Sequence, residues 1–205
     1  THVGYAAGQG ISGVLAAGDY NTTVGASAGL LLQGTATQNT LIGALAGDAL
    51  TTGSDNTVVG KSALSAGAAS FYNTAIGHNA LAADTTGRLS VAVGRNALAA
   101  QDNTSSANMY NTAVGSGAGE ALSTGTKNTF IGALSGDAIV TGSENVAVGY
   151  VALTDLTSGT GNVAVGEECG SNITDGSSNV AMGKLALFTN ISGSNNVAIG
   201  QEALR

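Results

Sequence analysis

The sequence predicts an all-β fold: a parallel β-solenoid, a β-roll or β-helix of about twelve 17-residue coils, with residues 1–205 forming a single repeat array. Three observations predict it. A short motif, N-[TV]-x-[VIM]-G, recurs from one end of the chain to the other. Its glycine returns with an almost constant period. The composition weighs against other classes: 32 Gly, no Pro, no Trp, 4% aromatic and 9% charged residues stand beside 43% hydrophobic ones. A typical soluble domain is about a quarter charged, so neither salt bridges nor large aromatic cores can hold this chain together. Disorder is disfavoured too, because Val, Ile, Leu and Ala recur at fixed places and the net charge of -7 is modest for 205 residues.

The period is read from the glycine that closes each motif. These are Gly4, Gly25, Gly43, Gly60, Gly77, Gly94, Gly115, Gly132, Gly149, Gly166, Gly183 and Gly200. Eight of the eleven intervals are 17 residues, one is 18, and the intervals ending at Gly25 and Gly115 are 21. So short and strict a period marks a solenoid or fibre. Seventeen residues leave no room for an ordinary helix beside two segments and two turns.

Each coil then divides into four parts. The motif is a short β-branched strand. Its glycine forms a corner, either in a backbone conformation other residues avoid or where chains approach closely. A second segment follows, with a small residue, usually Ala, three positions after the glycine. A polar turn such as TTGSDN or VTGSEN closes the coil. In the strand, the residue before the glycine is always Val, Ile or Met, and Thr or Val lies two positions earlier. Hydrophobicity predicts that this pair points into the core. The intervening residue, mostly Ala, with Leu41, Val58 and Phe130 among the exceptions, is then expected to face outward under cover of neighbouring copies of the chain. Asn21, Asn39, Asn56, Asn73, Asn111, Asn128, Asn145, Asn162, Asn179 and Asn196 open the motifs and are expected to stack as an amide ladder, with Ser90 replacing one rung. The first and last units, THVG and NNVAIGQEALR, lack polar caps, so the array is expected to be a fragment of a longer fibre.

Stretches such as NTAIGHNALAADTTG and NVAVGYVALTDLTSGTGNVAVG resemble the tandem N-T-A-x-G-Y-x-A-L-x-x-N-T-T-G-S repeats of phage tail-fibre proteins and of bacterial tail-fibre-domain proteins. The SVAVG and NVAIG cores are similar to head repeats of trimeric autotransporter adhesins of the YadA type. The resemblance implies a left-handed homotrimer, outside the cell, on a virion tail fibre or a bacterial surface. Two departures stand out: Tyr follows the glycine only at Tyr5 and Tyr150, and two intervals are expanded.

Chemistry is sparse. Six Lys plus Arg against thirteen Asp plus Glu, with the cations scattered, argue against a nucleic-acid partner. No apolar run is long enough for membrane insertion as a helix. His2 and His78 lack Cys or carboxylate neighbours at metal-ligand spacing, so no metal and no cofactor are expected. Cys169 stands in a column of alanines and reads as a buried small residue. Asp48 and Asp137 are equivalent positions of a duplicated stretch, 39–56 and 128–145, as are Asp55 and Glu144. They suit turn solvation better than acid–base work, which needs two different environments. The two expansions, 8–21 and 98–111, are expected to carry recognition loops. Their candidate receptor contacts are Asp19, Tyr20, Asp102, Asn103 and Tyr110, with Tyr72 a third case of Tyr before Asn. Tyr, Asn and Asp suit a cell-surface glycan or receptor.

The function expected from these readings is a non-enzymatic structural and adhesive fibre segment that supports host or surface attachment. A tailspike-like polysaccharide depolymerase is an alternative, requiring carboxylates gathered in a groove. An ice-binding solenoid is a second alternative. It needs an exposed Thr array, yet the Thr column at 22, 40, 57 and 74 becomes Val at 146, 163, 180 and 197 and is expected to share the core face.

Overall fold

The structure, a computed structural model, describes residues 1–10, 18–102 and 107–205. Among them there are twelve strands and no helix: β1 (His2–Val3), β2 (Thr22–Val24), β3 (Thr40–Ile42), β4 (Thr57–Val59), β5 (Thr74–Ile76), β6 (Val91–Val93), β7 (Thr112–Val114), β8 (Thr129–Ile131), β9 (Val146–Val148), β10 (Val163–Val165), β11 (Val180–Met182) and β12 (Val197–Ile199). They form one parallel sheet in sequence order. This is the β-solenoid that the period predicts. At the spacing of paired strands it extends about 55 Å along its axis.

Register is kept in every strand pair, and shifts by one residue only outside the strands, where Arg88 bridges Asn108 ahead of β7. Thr57 lies opposite Thr74, Val58 opposite Ala75 and Val59 opposite Ile76, so each motif sits on the same letters of the next. The pairing of Val91 with Thr112 shows that the expanded interval leaves register untouched. Three-residue strands are short even for a solenoid. They are held because the rest of the coil also bonds along the axis, as in Leu64 N–H to Ala80 O at 2.9 Å and Ala66 N–H to Ala82 O at 3.0 Å. The corner glycine meets both of its expected demands. Gly60 has φ +141°, and a β-carbon there would lie 2.4 Å from the carbonyl oxygen of Gly77 in the next coil.

The strand faces are opposite to those the hydrophobic pattern predicts. The middle residues Leu41, Val58, Ala75, Ala92, Ala113, Phe130, Ala147 and Ala164 are fully buried. The Val, Ile or Met before each glycine points outward instead. Ile42, Ile76, Val114, Ile131 and Met182 are 37% to 43% exposed, and the Thr/Val column shares that outer face. The physical reason is width. A 17-residue coil has a thin interior, and where it is filled from the opposite wall by large residues such as Leu81, Leu98 and Leu153, the strand residue is Ala. Placing the Thr column outside also removes one of the two objections to an ice-binding face, leaving its replacement by Val.

In six coils volume is exchanged between the middle strand residue and the residue four after the glycine. Ala75, Ala92, Ala147 and Ala181 share their coils with Leu81, Leu98, Leu153 and Leu187. Where the strand residue is Leu or Phe the partner is glycine: Leu41 with Gly47, Phe130 with Gly136; the smaller Val58 still shares its coil with Leu64. A β-carbon on Gly136 would lie 2.6 Å from Phe130 Cε1. The duplicated stretches 39–56 and 128–145 are therefore two copies of the reversed packing, large on the strand and empty opposite.

Candidate binding site on the turn edge

The asparagines stack as a ladder. In Asn39, the backbone N–H and Nδ2 each donate to Asn21 Oδ1 at 3.0 Å, while Nδ2 also donates to Gly53 O at 3.0 Å. Asn128 repeats this on Asn111 Oδ1 and Gly142 O, and Asn162 on Asn145 Oδ1 and Gly176 O. Each amide thus satisfies a neighbouring rung and its own turn, groups that burial would otherwise orphan.

The ladder is interrupted at Ser90, and a buried side chain from another part of the coil repairs it. Gln101 is fully buried; its Oε1 accepts from Asn111 Nδ2 at 2.9 Å, as an asparagine at 90 would, while Ser90 N–H still donates to Asn73 Oδ1 at 2.9 Å. Gln101 Nε2 lies 3.3 Å from Asp84 Oδ2, and Asp84 Oδ1 accepts from Gly87 N–H at 2.8 Å. Asp84 is itself fully buried, and desolvation pushes its carboxyl up to about 6 against the hydrogen bonds that favour ionisation. These residues belong to one interior column, seven positions after the glycine. It reads Leu32, Leu50, Gly67, Asp84, Gln101, Leu122, Ile139, Leu156, Ile173 and Asn190. The run from Gly67 to Gln101 is a polar interruption inside an apolar column.

The same coils are altered on the outside. The two residues before the motif are Ser54 and Asp55, Thr126 and Lys127, or Ser143 and Glu144 in ordinary coils. In three successive coils they become Phe71 and Tyr72, Arg88 and Leu89, Met109 and Tyr110. Tyr72 (56% exposed), Leu89 and Tyr110 (51% exposed) stack outward in one column, each with a left-handed backbone. Arg88 lies 4.7 Å above the Phe71 ring, whose centre is 6.4 Å from that of Tyr72. Asn108 Nδ2 donates to Tyr110 Oη at 3.0 Å. Polar inside and aromatic outside in successive coils, this tract combines departures that occur singly at Asn190 and Tyr20, and such local violations concentrate at functional sites.

The residues singled out from sequence do not converge. Tyr20 and Asp19 are exposed on the second coil, about five strand spacings, or ~24 Å, from Tyr110. Asp102 is turned inward, accepting from the Thr85 hydroxyl at 2.6 Å. Asn103 lies outside the described residues. Tyr72 and Tyr110 do come together, and the companions that sequence reasoning missed are Phe71, Arg88, Leu89, Gln101 and Asp84. Their signal was available in the columns: the small polar residue before each motif is lost in three adjacent repeats.

Other candidates are dispersed as well. Asp48 and Asp137 are about five spacings apart, far beyond the separation needed to act on one glycosidic bond. Desolvation raises both carboxyls, and Asp137 accepts from the Thr154 hydroxyl. Glu144 pairs with Lys127 at 2.9 Å on the surface. His2 is bonded to the Thr23 hydroxyl at 2.8 Å, and burial followed by the N-terminal charge lowers its pKa. Cys169 is buried in the alanine column, where desolvation pushes its thiol up to about 11. Among the described residues there is no pocket, no His/Cys/Asp/Glu group placed to hold a metal ion, and no helix long and apolar enough to cross a membrane.

No family model, curated protein or solved structure matches this chain.

Proposed function

We propose that the chain is a structural and adhesive fibre segment: a non-enzymatic solenoid shaft whose copies associate side by side, as a homotrimer, outside the cell. One observation carries the reading. The outer face of the sheet is a ridge of β-branched and apolar side chains running the length of the array, with Ile42, Ile76, Val114, Ile131 and Met182 all substantially exposed. Apolar patches of that extent mark interaction sites. A ridge repeated identically in every coil suits a partner with the same axial repeat, which a second copy of the chain supplies. The count of three comes from the resemblance to tail-fibre and adhesin repeats. Depolymerase activity has less support, since the paired carboxylates stand in separate coils.

The test is mass by light scattering on the chain and on an Ile76→Glu, Ile131→Glu variant. The chain should weigh three times its 19.7 kDa. The variant should be a single chain with β-rich circular dichroism intact. A monomeric parent protein would overturn the reading. Thermal hysteresis in dilute solution would instead favour the ice-binding use of the same face.

A further inference from the structure

We infer that the ledge formed by Tyr72, Leu89 and Tyr110, with Phe71, Arg88 and Asn108 beside it, is a binding site for an extended acidic polysaccharide lying parallel to the solenoid axis. The inference rests on the adhesive reading for its purpose, while the site is complete within one chain.

The form of the ligand follows from the form of the ledge. No pocket encloses this edge among the described residues, so the ligand lies along it. Tyr72 and Tyr110 are two coils apart, about 9.5 Å at the spacing of stacked strands, with Leu89 between them. A linear polymer with flat apolar faces and a repeat close to one unit per coil can place alternate units on the two rings. Stacking on tyrosine rings and hydrogen bonding to their hydroxyls are what a pyranose ring offers.

Two other linear polymers fit less well. An extended peptide docks on a solenoid by pairing with a free backbone edge. Here the backbone is already bonded coil to coil: Leu89 N–H to Phe71 O at 3.2 Å, Met109 N–H to Arg88 O at 2.9 Å and Lys127 N–H to Met109 O at 2.8 Å. A nucleic acid, charged at every unit, would need several cations to displace its counterions, whereas the single Arg88 of the ledge matches a polymer charged on only one unit in two.

Arg88 gives the sign of the ligand. Its guanidinium is held over Phe71 and has no carboxylate within salt-bridge distance among the described residues. Lys127 and Lys184, by contrast, pair with Glu144 and Glu167 one coil away. A half-buried guanidinium held on an aromatic face and left without an anion is suited to bind a carboxylate on the sugar.

The test is calorimetric titration of the full chain with a hyaluronan oligomer, a linear polymer in which alternate units are uronic acids, and with a neutral β-glucan oligomer of equal length. Variants are Tyr72→Gln, Tyr110→Gln and Arg88→Gln; glutamine already occupies the tyrosine column at Gln38. The uronate should bind, and either tyrosine substitution should weaken it about tenfold or more, as removal of an aromatic anchor does. Arg88→Gln should abolish the preference for uronate over the neutral oligomer. Absence of binding, or binding indifferent to both tyrosine substitutions, would overturn the site. Equal binding of the neutral oligomer by the parent chain would overturn the acidic ligand. Light scattering on the same samples keeps the two readings apart: a monomer that binds the uronate defeats the trimer alone, and a trimer that does not bind it defeats the ledge alone.

Discussion

At the scale of the residue, the protein is governed by volume in a narrow interior. Phe130 is fully buried between Gly119 and Gly136, on both of which a β-carbon would lie 2.6 Å from the ring. Phe130→Ala should therefore cost ~3–5 kcal/mol, as the loss of a buried aromatic in a rigid core does. The other coils suggest a repair. Ala147 with Leu153 is the same site with its volumes exchanged, and Leu153 carries φ +52° close to the +59° of Gly136. The double variant Phe130→Ala, Gly136→Leu should recover a large part of the loss, read as the urea midpoint. A double variant no better than the single one would show that the two positions do not share one volume. Asp84 is the residue-scale exception, a carboxyl buried in a column of leucines. Its folded pKa of about 6 lies above the ordinary 3.8. The folded state therefore holds more protons than the unfolded state between those values, and stability falls as pH rises through them. Asp84→Asn keeps an acceptor for Gly87 and should stabilise the chain by ~1–3 kcal/mol above pH of about 6, with the advantage fading below about pH 4. Urea midpoints measured across that window check the slope; a pH-independent difference would contradict it.

At the scale of the element, one coil is too small to be stable and depends on the next. Its three-residue strand contributes little by itself, so the asparagine ladder and the axial backbone bonds set the register jointly. Asn128→Ala would strand the backbone N–H of Asn145 and the carbonyl of Gly142 in the interior, while Asn111 Oδ1 keeps the backbone N–H of residue 128. At ~1–3 kcal/mol for each buried group left unpaired, the loss should exceed about 2 kcal/mol. Asn196→Ala, on a half-buried rung bonded to Asn179, should cost distinctly less. Hydrogen exchange would locate the damage: protection should fall in the coils on either side of residue 128 and stay unchanged several coils away. The repair of the ladder by Gln101 shows the same dependence, because the amide missing at Ser90 is supplied from the interior column rather than done without.

At the scale of the whole molecule, repetition turns small choices into long surfaces. The Val or Ile before each corner is a minor exposure in one coil and a ridge in twelve. Self-association through it should be driven by apolar burial, so the mass by light scattering should not change between low and high salt. Dissociation at high salt would point to charge pairing between chains instead. The three coils that carry Phe71, Arg88 and Tyr110 leave this ridge and its register intact, since β5, β6 and β7 pair as the others do. A recognition ledge on the turn edge is thus compatible with packing through the sheet.

The sequence by itself determined the β-solenoid, its period, its corner glycines and the positions of its amide ladder. Each of these depends on spacing along the chain, and spacing is directly readable when a unit must dock on an identical unit. Only the tertiary structure decided which strand face is the inside. Hydrophobicity ranks Val and Ile above Ala, but the width of a coil depends on Leu81, Leu98 and Leu153 reaching across from the opposite wall, and no local pattern in the strand records that distance. The structure alone also showed that Gln101 reaches Asn111, Ser90 and Asp84 inside the coils that carry Tyr72, Arg88 and Tyr110, because the reach of a side chain across a coil is not written in its column.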